Sequence, residues 1–210
     1  LFERALRRAE LPISFTGGFH PLPRLQLALA LPLGVQGEGE WMDLEFIEQV
    51  EALQVLKRWQ QTLPPGLLLM EAYEVPVSGQ SLSQQLEAAR WSFELKTQAG
   101  DPSISLDQWR QVVDDLLSRD TLVWDDTDKK GRPRQRDCRP ALETLEIVAP
   151  VDGAVDGAVE SGVTLECLAH IDDQGRSLKP AQLQHWLSEG LEQSLHLHNV
   201  RRLELRLVRC

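Results

Sequence analysis

A short loop near the start of the chain brings together an aromatic ring, an imidazole and a guanidinium. Phe19, His20 and Arg24 fall in the stretch GGFHPLPR, in which two prolines fix the backbone and remove two N–H donors. Arg24 could bind phosphate or carboxylate through its fork of donors, while His20 could donate to a nucleobase and Phe19 could stack on one. The loop is therefore a candidate binding site for an anion or a nucleobase.

A second candidate is a dense run of cations in the second half of the chain. The segment 129–139, KKGRPRQRDCR, contains six Lys or Arg and one Asp, a local charge of +5, whereas the whole chain has a net charge of −10. The overall charge argues against a protein that coats nucleic acid without specificity. A basic hairpin tip can nevertheless follow a phosphate backbone. The candidate cations are Lys129, Lys130, Arg132, Arg134, Arg136 and Arg139.

Each candidate also has a purely structural interpretation. The loop could simply lead the chain into a sheet, with Arg24 paired to an acid such as Glu38 or Glu40. The basic turn could be a solvated hairpin in which Arg139 is fixed by a neighbouring aspartate, either Asp137 or the pair at 125 and 126. Loops and charge runs carry function in some proteins and only solubility in others, so both interpretations stay open at this point.

Residue spacing gives no sign of a metal centre or a catalytic centre. Cys138, Cys167 and Cys210 are too far apart for a CxxC pair or a zinc quartet, which predicts reduced thiols in a cytoplasmic protein. The histidines are dispersed, and the sequence has no P-loop, GxGxxG or GxSxG motif. We therefore predict that this chain contributes no metal ligand and no catalytic residue.

Hydrophobic periodicity indicates how the first half of the chain positions the loop. The apolar spacing predicts the order helix, strand, strand, helix, strand. The predicted segments are a helix over 2–9, a strand over 25–31, a turn over 34–39, a partner strand over 41–46, a helix over 50–59 and a strand over 67–75. A strand before Leu1 would complete the order β-α-β-β-α-β, and we expect the chain to be a fragment that begins inside or just before a helix.

The second half repeats this order and places the basic run between two of its strands. Ser105 is a typical N-cap in front of an amphipathic helix. The predicted segments are a strand over 91–97, a helix over 105–116, strands over 121–124, 141–149 and 162–171, a helix over 179–191 and a closing strand over 200–208.

The two halves together predict an α+β protein with two ferredoxin-like (βαββαβ) units in tandem, the first lacking its initial strand. The predicted first unit covers 1–76, and a linker with a short helix covers 77–90. The predicted second unit covers 91–210, with the basic hairpin at 125–141 and a flexible insertion at 150–162.

The opening stretch resembles the signature of a radical SAM-associated bacterial domain family of unknown function (DUF2344-like), in which the motif is close to GFNPHPRLSFALPLPVGVESEGEYLD. His20 and Leu22 stand where Asn and His are usual in that family. The basic turn is similar too, because the family tends to have a lysine-rich segment followed by Asp-x-Arg-Pro. The matching residues are Gly18, Phe19, Pro21, Pro23, Arg24, Pro32, Gly34, Val35, Glu38, Gly39, Glu40, Asp43, Asp137, Arg139 and Pro140.

The resemblance implies a protein that is fused to, or encoded beside, a cobalamin-binding radical SAM protein. Gene neighbours of the family include ribonuclease E/G and ribosomal proteins, which suggests a role around RNA modification or processing. The iron–sulfur cluster, SAM and cobalamin are expected only in the partner or an upstream domain, because this chain lacks three closely spaced cysteines. We expect a cytoplasmic, non-catalytic accessory domain that makes no membrane contact and binds or positions a substrate, with structured RNA as the candidate.

Two alternative functions are open from the sequence. The chain could be a protein–protein docking module that contacts the radical SAM partner and no nucleic acid. It could also be a ferredoxin-like RNA endonuclease with His20 as the general base, an analogy that rests on the fold level alone.

Overall fold

The chain folds into two compact units of mixed α+β structure, as the sequence predicts for the fold class. Unit 1 comprises residues 1–28 and 41–83, and unit 2 comprises 29–40 and 84–210. The structure, a computed structural model, describes residues 1–77, 79–98, 100–127, 130–151, 154–155, 158–159 and 162–208.

Unit 1 is built from two helices and a two-stranded antiparallel sheet. Apolar residues at helical spacing bury one face of each helix, and the ring of Phe2 meets Trp59 edge-on with 6.0 Å between centroids. Buried Leu6 and Val55 belong to the same core. The elements are α1 (Phe2–Arg8), β1 (Leu25–Leu27), β3 (Met42–Leu44), which pairs with β1, and α2 (Ala52–Gln60).

The hairpin of unit 1 differs from its prediction. β1 ends at Leu27, and the chain then leaves unit 1 after Ala28 and returns to it at Trp41. The two predicted strands do pair, as β1 and β3, whereas the predicted turn at 34–39 is part of a longer excursion that belongs to unit 2 and includes a short strand at 36–37.

The predicted strand at 67–75 is also wrong, since these residues are described and form no strand. The side chain of Gln60 bonds the chain at Leu67 and Leu69, where a neighbouring strand would otherwise supply partners. A strand needs such a neighbour to satisfy its backbone, and the described sheet of unit 1 contains only β1 and β3. The tandem of ferredoxin-like units is thus not confirmed.

Unit 2 contains a five-stranded sheet made of β2 (Gln36–Gly37), β4 (Leu86–Thr97), β8 (Leu142–Pro150), β11 (Gly162–His170) and β12 (Leu195–Leu207). The strand order is β2-β12-β4-β11-β8. β2 lies parallel to β12, and the other neighbours are antiparallel. A short 3₁₀ turn at 82–84 precedes β4 in the chain.

Two helices of unit 2, α3 (Leu106–Ser118) and α4 (Pro180–Leu191), confirm the predicted segments. Ser105 caps α3 as predicted: its hydroxyl accepts from the backbone N–H of Gln108, while the Gln108 side chain accepts from the backbone N–H of Ser105. None of the described helices is long and apolar enough to cross a membrane.

Three short pairs complete unit 2. β6 (Val123–Thr127) and β7 (Pro133–Asp137) form an antiparallel hairpin. β5 (Ile104–Ser105), β9 (Ala154–Val155) and β10 (Ala158–Val159) form a small separate sheet. The predicted flexible insertion at 150–162 therefore contains two short strands, while positions 152, 153, 156, 157, 160 and 161 lie outside the described residues.

The main sheet of unit 2 has one apolar face and one polar face. Trp91, Phe93 and Leu95 of β4 are buried, as is Cys167, the neighbour of Trp91 on β11. Burial raises the pKa of the Cys167 thiol to about 12, so this cysteine is an unreactive core residue. The intervening residues of β4 and their neighbours carry polar side chains on the opposite face.

The excursion at 29–40 is held by one fully buried arginine of β12. The guanidinium of Arg202 donates to both carboxylate oxygens of Glu40, to the carbonyl of Leu29 at 2.8 Å and to that of Ala30 at 3.4 Å. It also lies over the ring of Trp91, 5.5 Å from the centroid. Every partner except Trp91 comes from the excursion, so Arg202 fixes that segment on the sheet.

Backbone contacts tighten the same junction. The N–H of Glu38 donates to the carbonyl of Arg202, and the N–H of Leu205 donates to the carbonyl of Gly39. A Cβ at position 39 would lie 2.6 Å from the carbonyl oxygen of Leu203. Only glycine allows this approach of the two backbones.

We expect Arg202→Met to lower the free energy of unfolding by about 3–5 kcal/mol, because it leaves the Glu40 carboxylate and two carbonyls without their donor. The measurement is urea denaturation followed by tryptophan fluorescence. The matched control is Arg206→Met on the same strand, whose ion pair with Glu204 is partly exposed and should contribute less than about 1 kcal/mol. Equal losses in the two variants would contradict the proposed role of Arg202.

Candidate nucleic-acid interface

In the β6–β7 hairpin, the residues of the basic run lie on two opposite faces. Trp124 pairs with Arg136 and Asp126 pairs with Arg134 in the antiparallel register. Directly opposed residues share a face, and so do residues two apart along one strand. Trp124, Arg136, Asp126 and Arg134 therefore lie on one face of the hairpin.

Aromatic contacts attach this face of the hairpin to α4. The ring of Trp124 meets His185 edge-on at 5.4 Å and Trp186 edge-on at 6.0 Å between centroids. The indole N–H of Trp186 donates to the carbonyl of Val123 at 3.3 Å. His185 is half exposed, with its Nε2 3.3 Å from a carboxylate oxygen of Glu189. The imidazole of His185 thus contacts Trp124, whose indole is partly exposed and lies on the same face as Arg134 and Arg136.

The two arginines on this face have different surroundings. Arg134 Nη2 lies 2.7 Å from Oδ2 of Asp126, and this hydrogen bond holds the pKa of the Asp126 carboxyl below its usual value. Arg136 Nε is buried and has no hydrogen-bond partner among the described residues. An unmatched buried donor is costly, so the Nε of Arg136 is an unsatisfied group of this face.

Arg139 has a structural role at the base of the hairpin. Its guanidinium donates to the carbonyls of Arg119 at 3.1 Å, Leu142 at 2.9 Å and Leu117 at 2.8 Å. The bonds to Leu117 and Arg119 satisfy carbonyls at the C-terminal end of α3, and the bond to Leu142 reaches the first residue of β8. The geometry favours the structural interpretation, although the acceptors of the guanidinium are backbone carbonyls and not the side chain of an aspartate.

Asp137 supports the same junction. Its Oδ1 accepts from the backbone N–H of Leu122 at 2.8 Å and from that of Arg139 at 2.9 Å. Of the remaining predicted cations, Lys130 and Arg132 are exposed near the tip of the hairpin, and Lys129 lies outside the described residues.

The Phe19–Arg24 loop belongs to unit 1, whereas the hairpin belongs to unit 2. Phe19 is completely exposed and His20 is exposed. Arg24 does pair with an acid, as the structural interpretation has it, but the acid is Glu45, which accepts from Arg24 Nη1 at 3.0 Å, and not Glu38 or Glu40.

The acids expected for Arg24 bind other arginines. Glu38 accepts from Arg201 and Glu40 accepts from Arg202. Both acids lie in the excursion that packs within unit 2, whereas Arg24 lies in unit 1.

Sequence reasoning missed a pocket of about 170 Å³ on the polar face of the main sheet of unit 2. One signal was available in the sequence, since Asn199 interrupts a strand pattern. In the structure this residue adopts a left-handed conformation with φ of 45°. No group of three or more metal-ligating side chains occurs in the part of the chain that the structure describes. The polar lining residues of the pocket are Gln36, Ser92, Glu94, Thr164, Asn199 and Arg201.

Comparison with known families identifies the chain. The profile of the family described as "Uncharacterized protein conserved in bacteria (DUF2344)" matches residues 1–180. The chain belongs to this family. The matched DUF2344 region includes the Phe19–Arg24 loop, the excursion and the whole basic hairpin. A comparison with curated proteins found no match.

We expect Asp137→Ala to lower the melting temperature of the DUF2344 chain at pH 7. Hydrogen bonds from the N–H groups of Arg139 and Leu122 hold the pKa of Asp137 below its usual value. This contribution is complete above the unfolded pKa of about 3.9 and is lost as the pH falls through the folded pKa. The difference from wild type, measured by thermal circular dichroism, should therefore narrow below about pH 3.9.

The matched control for this experiment is Asp120→Ala, which removes an exposed aspartate of the same unit. It should leave the melting temperature unchanged at every pH. A difference between Asp137→Ala and wild type that stays constant from neutral to acidic pH would contradict the assignment.

Proposed function

We propose that this DUF2344 chain is a non-catalytic accessory domain that binds RNA through the β6–β7 hairpin and presents it to a radical SAM partner. The observation that carries the proposal is the shared face of Trp124, Arg134 and Arg136, next to His185 on α4. Arginine supplies phosphate contacts, and indole and imidazole rings offer surfaces for unstacked bases.

The chemistry of this face favours single-stranded or looped RNA over a regular duplex. Bases can reach aromatic side chains only where they are unstacked, as in loops, bulges and ends. The acids on the hairpin limit non-specific attraction, because Asp126 already pairs with Arg134. The hairpin therefore suits a structured RNA with an exposed loop.

We further infer that unit 2 follows the ferredoxin-like plan. Support comes from its strand order β12-β4-β11-β8 with antiparallel neighbours, and from the helices that follow β4 and β11 in the chain. The radical SAM partner is proposed from the family resemblance of the opening stretch. The iron–sulfur cluster, SAM and cobalamin belong to that partner in this proposal.

We expect the double substitution Arg134→Gln, Arg136→Gln to weaken binding of a fluorescent stem-loop RNA. Each lost phosphate contact on a single strand lowers the slope of log K against log salt by about 0.7, so the slope should fall by about 1.4. The measurement is fluorescence anisotropy between about 50 and 200 mM KCl. The control, Arg7→Gln with Arg110→Gln, removes two exposed arginines elsewhere. An equal loss of slope in the control, or no RNA binding at low salt, would overturn the proposal.

We expect His185→Ala to reduce affinity for the same RNA by about fivefold or more, the loss typical of one base–aromatic stack. The salt slope should stay unchanged, because stacking of a ring on a base neutralises no phosphate. The comparison is His170→Ala, another exposed histidine of unit 2 that pairs with a glutamate. Unchanged affinity in His185→Ala would show that the base does not stack at this position.

The docking alternative is supported by one observation in unit 1. Phe19 and Leu22 expose large apolar side chains in a loop stiffened by prolines, and buried aromatic anchors dominate many protein interfaces. In this alternative the loop contacts the radical SAM protein and the hairpin binds no nucleic acid. Loss of co-purification in Phe19→Ala, with no RNA binding by the wild-type chain, would favour docking over RNA binding.

A further inference from the structure

Two strand edges of unit 1 have no strand neighbour among the described residues. The first is the outer edge of β3, whose described strand partner is β1 on the other side. The N–H of Glu45 donates to the carbonyl of Arg24 on the β1 side. Backbone groups alternate in direction along each strand of an antiparallel pair, so those of Met42 and Leu44 point away from β1.

The second edge is the segment 67–75. Its sequence, LLLMEAYEV, predicts a strand. The side chain of Gln60 holds the beginning of the segment at Leu67 and Leu69. From 70 to 75 the backbone makes no hydrogen bond to any other described backbone group. This stretch therefore keeps its backbone donors and acceptors available for a strand neighbour.

Both edges border the same core. Leu69 packs against the buried cluster around α1 and α2, and so do Met42 and Leu44 of β3. The ring centroid of Tyr73 lies 6.2 Å from that of Trp41, which directly precedes β3 in the chain. A strand that paired with both edges would therefore also cover this core.

The segment 67–75 exposes several apolar side chains. Leu68, Met70, Tyr73 and Val75 are between 61% and 76% exposed. An exposed apolar edge pairs with other strands unless a neighbour covers it. In strand addition, main-chain hydrogen bonds supply affinity and alternate side chains supply specific contacts. The segment is therefore suited to receive a strand.

The chain along the two edges carries only negative charges. The stretch 41–51 contains four acids and the second edge contains two, and neither contains Lys or Arg. Asp43 and Glu71 form no ion pair within the part of the chain that the structure describes, and Glu74 accepts from the neutral amide of Gln49 at 3.3 Å. A strand with basic side chains would complement these acids.

We propose that a basic β-strand, joined to the N-terminal end of α1, pairs with both edges. This added strand lies between β3 and the segment 67–75 and runs antiparallel to each. Its apolar side chains face the core at alternate positions. Its Lys or Arg side chains face the other side, which is the side of Asp43 and is opposite to that of Met42 and Leu44. The completed sheet has the order 67–75, added strand, β3, β1.

Connectivity selects this source over a strand from another molecule. A strand, a helix and a parallel second strand of one sheet form a right-handed crossover, and α1 and β1 supply the helix and the second strand. In the split crossover of the ferredoxin-like plan, a third strand lies between these two strands, and β3 has that position here. A strand attached to α1 also has a high effective concentration at the two edges, which a separate molecule lacks.

The first experiment adds a synthetic peptide of alternating valine and arginine to the full chain, with amide hydrogen exchange followed by NMR. Exchange at Met42, Leu44 and 70–75 should slow by about tenfold or more. N-methyl groups on alternate amides of this peptide keep its charge but prevent pairing on one edge. A peptide of alternating valine and glutamate opposes the acids with like charges. No slowing with the arginine peptide, or slowing with either control peptide, would overturn the proposal.

The second experiment tests the acids with a charge reversal. Glu71→Lys with Glu74→Lys should weaken binding of the arginine peptide by about fivefold or more, because opposite charges across the strands become like charges. The matched control is Asp114→Lys with Asp115→Lys, which makes the same change of net charge at exposed positions of α3 and should bind as wild type does. Equal losses in two folded variants, checked by circular dichroism, would contradict a local basic preference.

The third experiment tests the source of the strand with the protein expressed from the natural start of its gene. In the monomer, the amides of Met42 and Leu44 should exchange about tenfold or more slowly than in the chain that starts at Leu1, and the arginine peptide should no longer bind. Protection that appears only in a dimer would assign the strand to a second copy. Protection that requires a partner protein would assign it to that partner. Either result, or unchanged exchange, would overturn a strand joined to α1.

Discussion

The arrangement of unit 2 depends on the buried guanidinium of Arg202. Removing such a charge from water costs several kcal/mol, which only well-matched partners can offset. Glu40 and two backbone carbonyls supply those partners, and the guanidinium lies over the ring of Trp91. Since Glu40 and the carbonyls belong to the excursion at 29–40, that segment must pack against β12 for Arg202 to be satisfied. The interaction specifies where a segment with almost no regular structure lies.

Arg201, which precedes Arg202 in the chain, binds the excursion from the other face of the sheet. Arg202 is opposite Trp91 on the apolar face, whereas Arg201 is opposite Ser92 on the polar face. Glu38 binds Arg201 as Glu40 binds Arg202, so two acids of one short segment match two consecutive arginines. The excursion is thus fixed on the sheet by Glu38 and Glu40 together.

In the basic run, tertiary contacts give different surroundings to arginines that look equivalent in sequence. Arg139 donates to carbonyls at the end of α3, Arg134 pairs with Asp126, and Arg136 keeps a buried donor without a partner among the described residues. A local charge of +5 predicts attraction to phosphate, but it does not predict which guanidinium can reach it. His185 lies 61 positions after Trp124 in the sequence. The two rings become neighbours only because α4 packs against the hairpin.

The sequence by itself determined the α+β class, both helices of unit 2, the cap at Ser105 and the family. These features rest on local signals: helical spacing, a capping box and a contiguous motif. The tertiary structure alone decided that 67–75 forms no strand, because strand formation requires a neighbour that the described sheet of unit 1 does not supply. It also decided that Arg24 pairs with Glu45 and that Glu40, 162 positions away from Arg202, is the partner of that arginine. Partner choice across such distances depends on which backbones the fold brings together, and charge and spacing along one chain do not encode it.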